Sequence, residues 1–163
     1  MVTIESATLE DLPVITEIYN EAVLTTTATF DTEPKSVAER QPWFEEHDSR
    51  YPVLVARIDN IVAGWASLSC WSSKTGYAGT VEESLYVGSA YRGRGIGKRL
   101  MAAILTEGQK NGYHTVLARV VEGNETSIGL HEAFGFELVG VMREVGYKFN
   151  RWLDVYLMQK NYR

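Results

Sequence analysis

The chain predicts a mixed α/β fold with a largely antiparallel sheet. Strand and helix periodicities follow one another as strand, two helices, three strands, helix, strand, helix, two strands. The strict strand–helix alternation of a doubly wound fold is therefore missing. Successive strand-like runs are also joined by short turns such as Asp59-Asn60, the mark of antiparallel hairpins.

Val2 to Ala7 alternates as a short strand. Thr8 followed by Asp11 resembles a capping box, and Leu12, Ile15, Ile18, Tyr19 and Ala22 recur at helical spacing to about Val23. A Thr-rich loop closes at Pro34, and Ser36 with Glu39 opens a second helix through Trp43 and Phe44. Tyr51–Arg57 and Ile61–Trp71 form a predicted hairpin, and Thr80–Val87 is the next strand. Gly95 to Asn111 carries Ile96, Leu100, Ala103 and Ile104 on one helical face and stops at Gly112. His114–Val121 is a β-branched strand, Glu125–Phe134 a short helix ended by Gly135. Phe136–Val145 and Trp152–Gln159 complete the sheet around a turn near Asn150. No repeat, low-complexity tract or linker interrupts residues 1–163, which read as one domain.

Bulk properties narrow the function. Apolar residues make up 45% and charged residues 23%, average for a soluble globular protein. No run approaches the roughly 20 apolar residues that span a bilayer, so no membrane association is expected. The start has no basic n-region and carries early acids, which argues against a secretory signal. The single cysteine, Cys70, excludes an internal disulfide and suits a reducing, cytoplasmic setting. A net charge of −5 without a basic block argues against nucleic acid as a partner. One cysteine and three scattered histidines offer no metal-ligand spacing, so no metal is expected.

One local exception stands out: Arg92, Arg94, Lys98 and Arg99 interleave with Gly93, Gly95 and Gly97 between a strand and a helix. Such a turn leaves unpaired N–H groups and the positive end of a helix dipole facing one spot, which favours a phosphate. Glycines let the backbone approach the anion closely. The P-loop pattern fails because Arg94 and Gly95 stand where Lys and Ser/Thr belong, leaving nothing to hold magnesium. The dinucleotide pattern fails because Gly97 follows Gly95 one residue early.

Arg-x-x-Gly-x-Gly at Arg92, Gly95 and Gly97 does resemble the pyrophosphate-binding motif of the GNAT superfamily of N-acetyltransferases. A later segment, Asn124, Ser127, Leu130, His131, Gly135 and Phe136, resembles that superfamily's second cofactor motif, and the similarity covers essentially the whole chain. The resemblance implies a sheet of about seven strands flanked by four helices and splayed between strands four and five. It also implies acetyl-CoA as cosubstrate, without metal. Residues Arg92 to Lys98, including Ile96, would hold the diphosphate. The strand Leu85-Tyr86-Val87 would hold the pantetheine arm, with the N–H groups of Leu85 and Val87 polarising the acetyl carbonyl. Asn124 and Ser127 would complete the cofactor site, with Asn124 serving also or instead as a helix cap.

Ile18–Val23, Thr80–Val87, Leu130–Phe136, and Gly146–Phe149 with Trp152–Asp154 are similar to the phosphinothricin acetyltransferase and L-amino-acid N-acyltransferase branch. That branch implies a small amino-acid-like amine as acceptor, of the phosphinothricin, methionine sulfone or methionine sulfoximine type, and a homodimer. The segment Trp71-Ser72-Ser73-Lys74-Thr75-Gly76-Tyr77 departs from it, with Lys74 where many members place arginines. A lysine offers a point charge where a guanidinium offers a two-pronged grip. A polyamine, an aminoglycoside or a protein N-terminus stays open as acceptor, as does a coenzyme A-binding module without turnover.

Glu82 is the candidate general base, on the strand entering the Gly-rich turn and at the family's Thr-Val-Glu position; an ion pair with Lys74 or Lys148 is its alternative role. An α-amine with a pKa near 8 demands only a modest base. Glu83 alternates to the opposite face of the sheet. His131 is the candidate proton donor to the thiolate, or else a helix histidine bound to a backbone carbonyl. Phe30, Trp71, Lys74 and Tyr77 fall on loops flanking the expected acceptor side.

Overall fold

The computed structural model describes residues 1–163 and contains one seven-stranded sheet. In chain order the elements are β1 (Val2–Ser6), α1 (Leu12–Thr25), α2 (Val37–Glu45), β2 (Val53–Ile58), β3 (Ile61–Cys70), β4 (Thr80–Val87), α3 (Ile96–Lys110), β5 (Thr115–Val121), α4 (Glu125–Ala133), β6 (Glu137–Lys148) and β7 (Arg151–Asn161). The spatial order is β1-β2-β3-β4-β5-β7-β6. Every pairing is antiparallel except β4 with β5.

Two layers of helix cover the sheet, and strand alternation decides which residues each meets. Val53, Val55 and Trp65 turn toward α1, where Ile15, Ile18 and Val23 supply the facing apolar stripe. Leu54, Ala66, Leu68, Val116 and Ala118 turn toward α3 and meet Leu100, Met101 and Ile104. The capping box read at Ser36 and Glu39 starts α2, with Glu39 N–H donating to Ser36 Oγ at 3.1 Å. Arg40 pins this helix to α1 by lying between the Trp43 and Tyr19 rings, 3.9 and 4.3 Å from their centroids.

The parallel pair is short. Thr80, Val81 and Glu82 oppose Thr115, Val116 and Leu117, and beyond them the strands part. Both continue to Val87 and Val121, bonded on their outer sides to β3 and β7. β6 breaks register with β7 between Met142 and Gly146, where Glu144 has φ 46°. The Asp154 carboxylate closes this bulge by accepting from the Glu144 N–H at 2.8 Å.

Candidate active site

A cleft of about 1470 Å³ opens where β4 and β5 part. Its walls come from β4, β5, the turn into α3, the start of α4 and the loop after α1.

The register of β3 with β4 sets which backbone groups face the cleft. Gly88 N–H donates to Ala63 O at 2.8 Å, so Tyr86, paired with Trp65, also bonds toward β3. Antiparallel pairs alternate, and the N–H groups of Leu85 and Val87 therefore point away from β3 into the opening. Val87 O accepts from Arg92 Nε at 3.2 Å. Tyr86 lines the cleft but bonds through its backbone toward β3; its ring packs against Tyr19 and Trp65, centroids 5.5 and 5.0 Å away.

The Gly-rich turn continues this wall. Gly93 and Gly95 have φ 77° and 78°, a left-handed conformation that side chains resist. Gly95 is the residue before α3, and the first helical bond is Arg99 N–H to Gly95 O at 3.2 Å. The N–H groups of Ile96, Gly97 and Lys98 have no partner within the helix and form a donor cluster at its positive end. Arg92, Gly93, Ile96, Gly97 and Lys98 line the cleft. The Arg92 guanidinium also anchors the turn, through Val87 O and a 3.5 Å contact with Glu21. Arg94 instead lies beside the Tyr91 ring.

Across the opening, Asn124 Oδ1 accepts from Ser127 N–H at 3.2 Å and caps α4. His131 lies one turn on, buried. Its Nδ1–H donates to Ser127 O and its Nε2–H to Glu83 Oε2, both at 2.7 Å. Burial opposes charge on this imidazole, but the hydrogen bond and charge of Glu83 and the Ser127 carbonyl outweigh it and raise its pKa. The expected carbonyl partner and a carboxylate thus coexist.

Glu82 faces the opposite side of the sheet from Glu83. Neither Lys74 nor Lys148 is its partner; Arg119 on β5 grips both its oxygens, Nε to Oε2 at 2.5 Å and Nη2 to Oε1 at 2.7 Å. Lys148 is buried elsewhere and donates to Thr29 O at 2.8 Å. Tyr19 donates to Asp31 beside it, and burial followed by that carboxylate pushes the phenol up to about 12. These bonds hold the loop after α1, where Phe30 packs on Val121, Leu153 and Val155 and lines the cleft with Glu82. Trp71 stands near Arg119, its ring centroid 5.7 Å from the guanidinium carbon. Lys74 and Tyr77 are exposed, and Trp71, Lys74 and Tyr77 all lie outside the cleft lining.

Arg119 and the Glu83–His131 pair are absent from the sequence reading. A single charge within Val116-Leu117-Ala118-Arg119-Val120-Val121 was the available signal for the first. The alternation that sends Glu83 to the α4 side was the signal for the second.

The acetyltransferase (GNAT) family model matches residues 15–136. The chain is 44% identical over 161 residues to the L-methionine sulfoximine/L-methionine sulfone acetyltransferase of Pseudomonas aeruginosa, covering 98% of this chain and 94% of that one. It is 41% identical over 150 residues to the phosphinothricin N-acetyltransferase of Streptomyces coelicolor, covering 90% and 88%. The structure of yncA from Salmonella typhimurium with its cofactor acetyl-CoA superposes with a TM-score of 0.96 at 39% identity, covering 99% of this chain and 94% of that one.

Proposed function

Because this chain belongs to the acetyltransferase (GNAT) family, we propose that it moves an acetyl group from acetyl-CoA to the α-amine of a small amino-acid-like acceptor. The observation that carries this reading is the parting of β4 and β5, with free N–H groups leading to the donor cluster at the start of α3. The names of the Pseudomonas and Streptomyces relatives support an acceptor such as methionine sulfone, methionine sulfoximine or phosphinothricin.

Acetyl-CoA supplies the activated acetyl group as a thioester, and its acetyl carbon joins the acceptor nitrogen with loss of the thiol. Gly93 to Lys98 would take the diphosphate, with Arg92 and Lys98 adding charge and Asn124 and Ser127 flanking from α4. Leu85 and Val87 N–H groups would orient the pantetheine arm and polarise the carbonyl. Glu82 would take one proton from the acceptor amine, and His131 would return one to the sulfur. Phe30 would wall the acceptor side. Trp71 stands near that side, whereas the exposed positions of Lys74 and Tyr77 give them no direct part.

Two further elements belong to this reading. The β6–β7 hairpin exposes the apolar side chains Leu138, Val139, Tyr147, Phe149 and Trp152, which a second copy in a homodimer would cover. A reducing cytoplasm would keep the exposed Cys70 as a thiol.

The test is release of free thiol from acetyl-CoA across a panel of amines. Methionine sulfone or phosphinothricin should turn over; turnover of polyamines alone would overturn the acceptor assignment. Glu82→Gln should lower kcat about a hundredfold while leaving coenzyme A affinity within about twofold. Normal turnover by this variant would remove Glu82 from the role of base.

A further inference from the structure

We propose that the Arg119–Glu82 ion pair is the recognition element for the zwitterionic end of the acceptor, with Arg119 taking the α-carboxylate and releasing Glu82 to the amine. This inference rests on the amino-acid reading above and assigns a specificity residue within it.

Both Glu82 oxygens already accept charge-assisted bonds from Arg119. The two side chains differ in freedom: Glu82 is 16% exposed and Arg119 is 54% exposed. The carboxylate is therefore the fixed member and the guanidinium the one able to turn. An amine that approaches Glu82 as a bare cation meets Arg119 beside it and is repelled. An α-amino acid brings its own carboxylate, which matches the planar fork of Arg119 while its amino group meets Glu82. One ion pair opens into two, and charge stays balanced.

The chain's other charges near the cleft do not compete for this role. Lys74 is exposed and outside the lining, and the loop Trp71–Tyr77 holds no arginine. Arg92 is committed to Val87 O and Glu21. Lys148 is buried against Thr29 O. Arg119 is thus the free-edged guanidinium on the Glu82 side, and Trp71 flanks it.

The experiment compares methionine sulfone with its α-carboxamide, which keeps the amine and side chain and lacks the anion. Wild type, Arg119→Gln and Arg119→Lys are assayed on both, and the ratio of kcat/KM values is compared between proteins, so that the differing basicity of the two amines cancels. Arg119→Gln should reduce the acid-over-amide ratio about tenfold to a hundredfold, chiefly through KM for the acid, the range for losing a charge-assisted bond. Arg119→Lys should fall between, because charge is kept and the fork is lost. An unchanged ratio in both variants, with wild type acetylating amino acids, would overturn this inference alone. Wild type active only on amines without a carboxylate would overturn it together with the amino-acid reading.

Discussion

Glu82 and Glu83 are neighbours in the chain, yet one meets Arg119 on one side of the sheet and the other meets His131 on the opposite side. The division follows from the two-residue period of a strand and was legible. The partners were not, since they lie 37 and 48 residues away and only the fold brings them up. The buried pair makes a pH prediction. His131 has a raised pKa in the folded state, so its contribution to stability is complete below the ordinary value of about 6.5 and is lost as pH rises through the raised one. Thermal unfolding followed from pH 6 upward should show Tm falling in wild type beyond that of His131→Asn. Parallel curves would exclude the pair as a stabilising device. Glu83→Gln leaves a buried imidazole without its counter-charge, and should cost about 3 kcal/mol in denaturant unfolding at pH 6.

At the scale of elements, the fold was legible wherever local chemistry decides it. The Ser36–Glu39 cap and the β4 limits stand where periodicity put them, while β1, β2 and β3 end or begin one or two residues away. β6 and β7 run longer, to Lys148 and Asn161, because cross-strand pairing carries them past their apolar cores. The bulge at Glu144 had no sequence signal, as it is imposed by Asp154 from the partner strand. Arg92 illustrates the same limit: it was legible as a cation beside glycines, but its bonds to Val87 and Glu21 depend on β4 and α1 being near. The turn itself makes a paired prediction. Gly95→Ala places a Cβ at φ 78° and should cost about 1–2 kcal/mol, with weaker coenzyme A binding. Gly97→Ala lies inside α3, where a Cβ meets only Leu130 and Leu85 at 3.6 and 3.9 Å, and should fold as stably as wild type. Calorimetric titration and thermal unfolding of both variants check this; equal behaviour would mean that the glycines are not needed for conformation.

For the whole molecule, the exposed apolar side chains of β6 and β7 include Leu138, Tyr147 and Trp152, which are 57%, 51% and 59% exposed. Sedimentation of the wild type should give a dimer, and Trp152→Asp together with Leu138→Asp a monomer, since a buried charge without a partner disfavours association. A monomeric wild type at micromolar concentration would remove the second copy from the functional reading. The exposure of these side chains lay outside what hydropathy alone reveals, because in the sequence they read as strand core.

The parting of β4 and β5 also divides the molecule mechanically. Four strands form one leaf, covered by α3, and three the other, and a seam of three opposed residue pairs joins them. A compound wedged into that gap spans both leaves and takes over the tie that the missing ladder would have made. Rigidity then becomes a property of occupancy: at a hundredfold excess over its dissociation constant such a ligand adds about 2.7 kcal/mol against unfolding. The same gap that admits the donor leaves only three residue pairs of ladder between the two leaves.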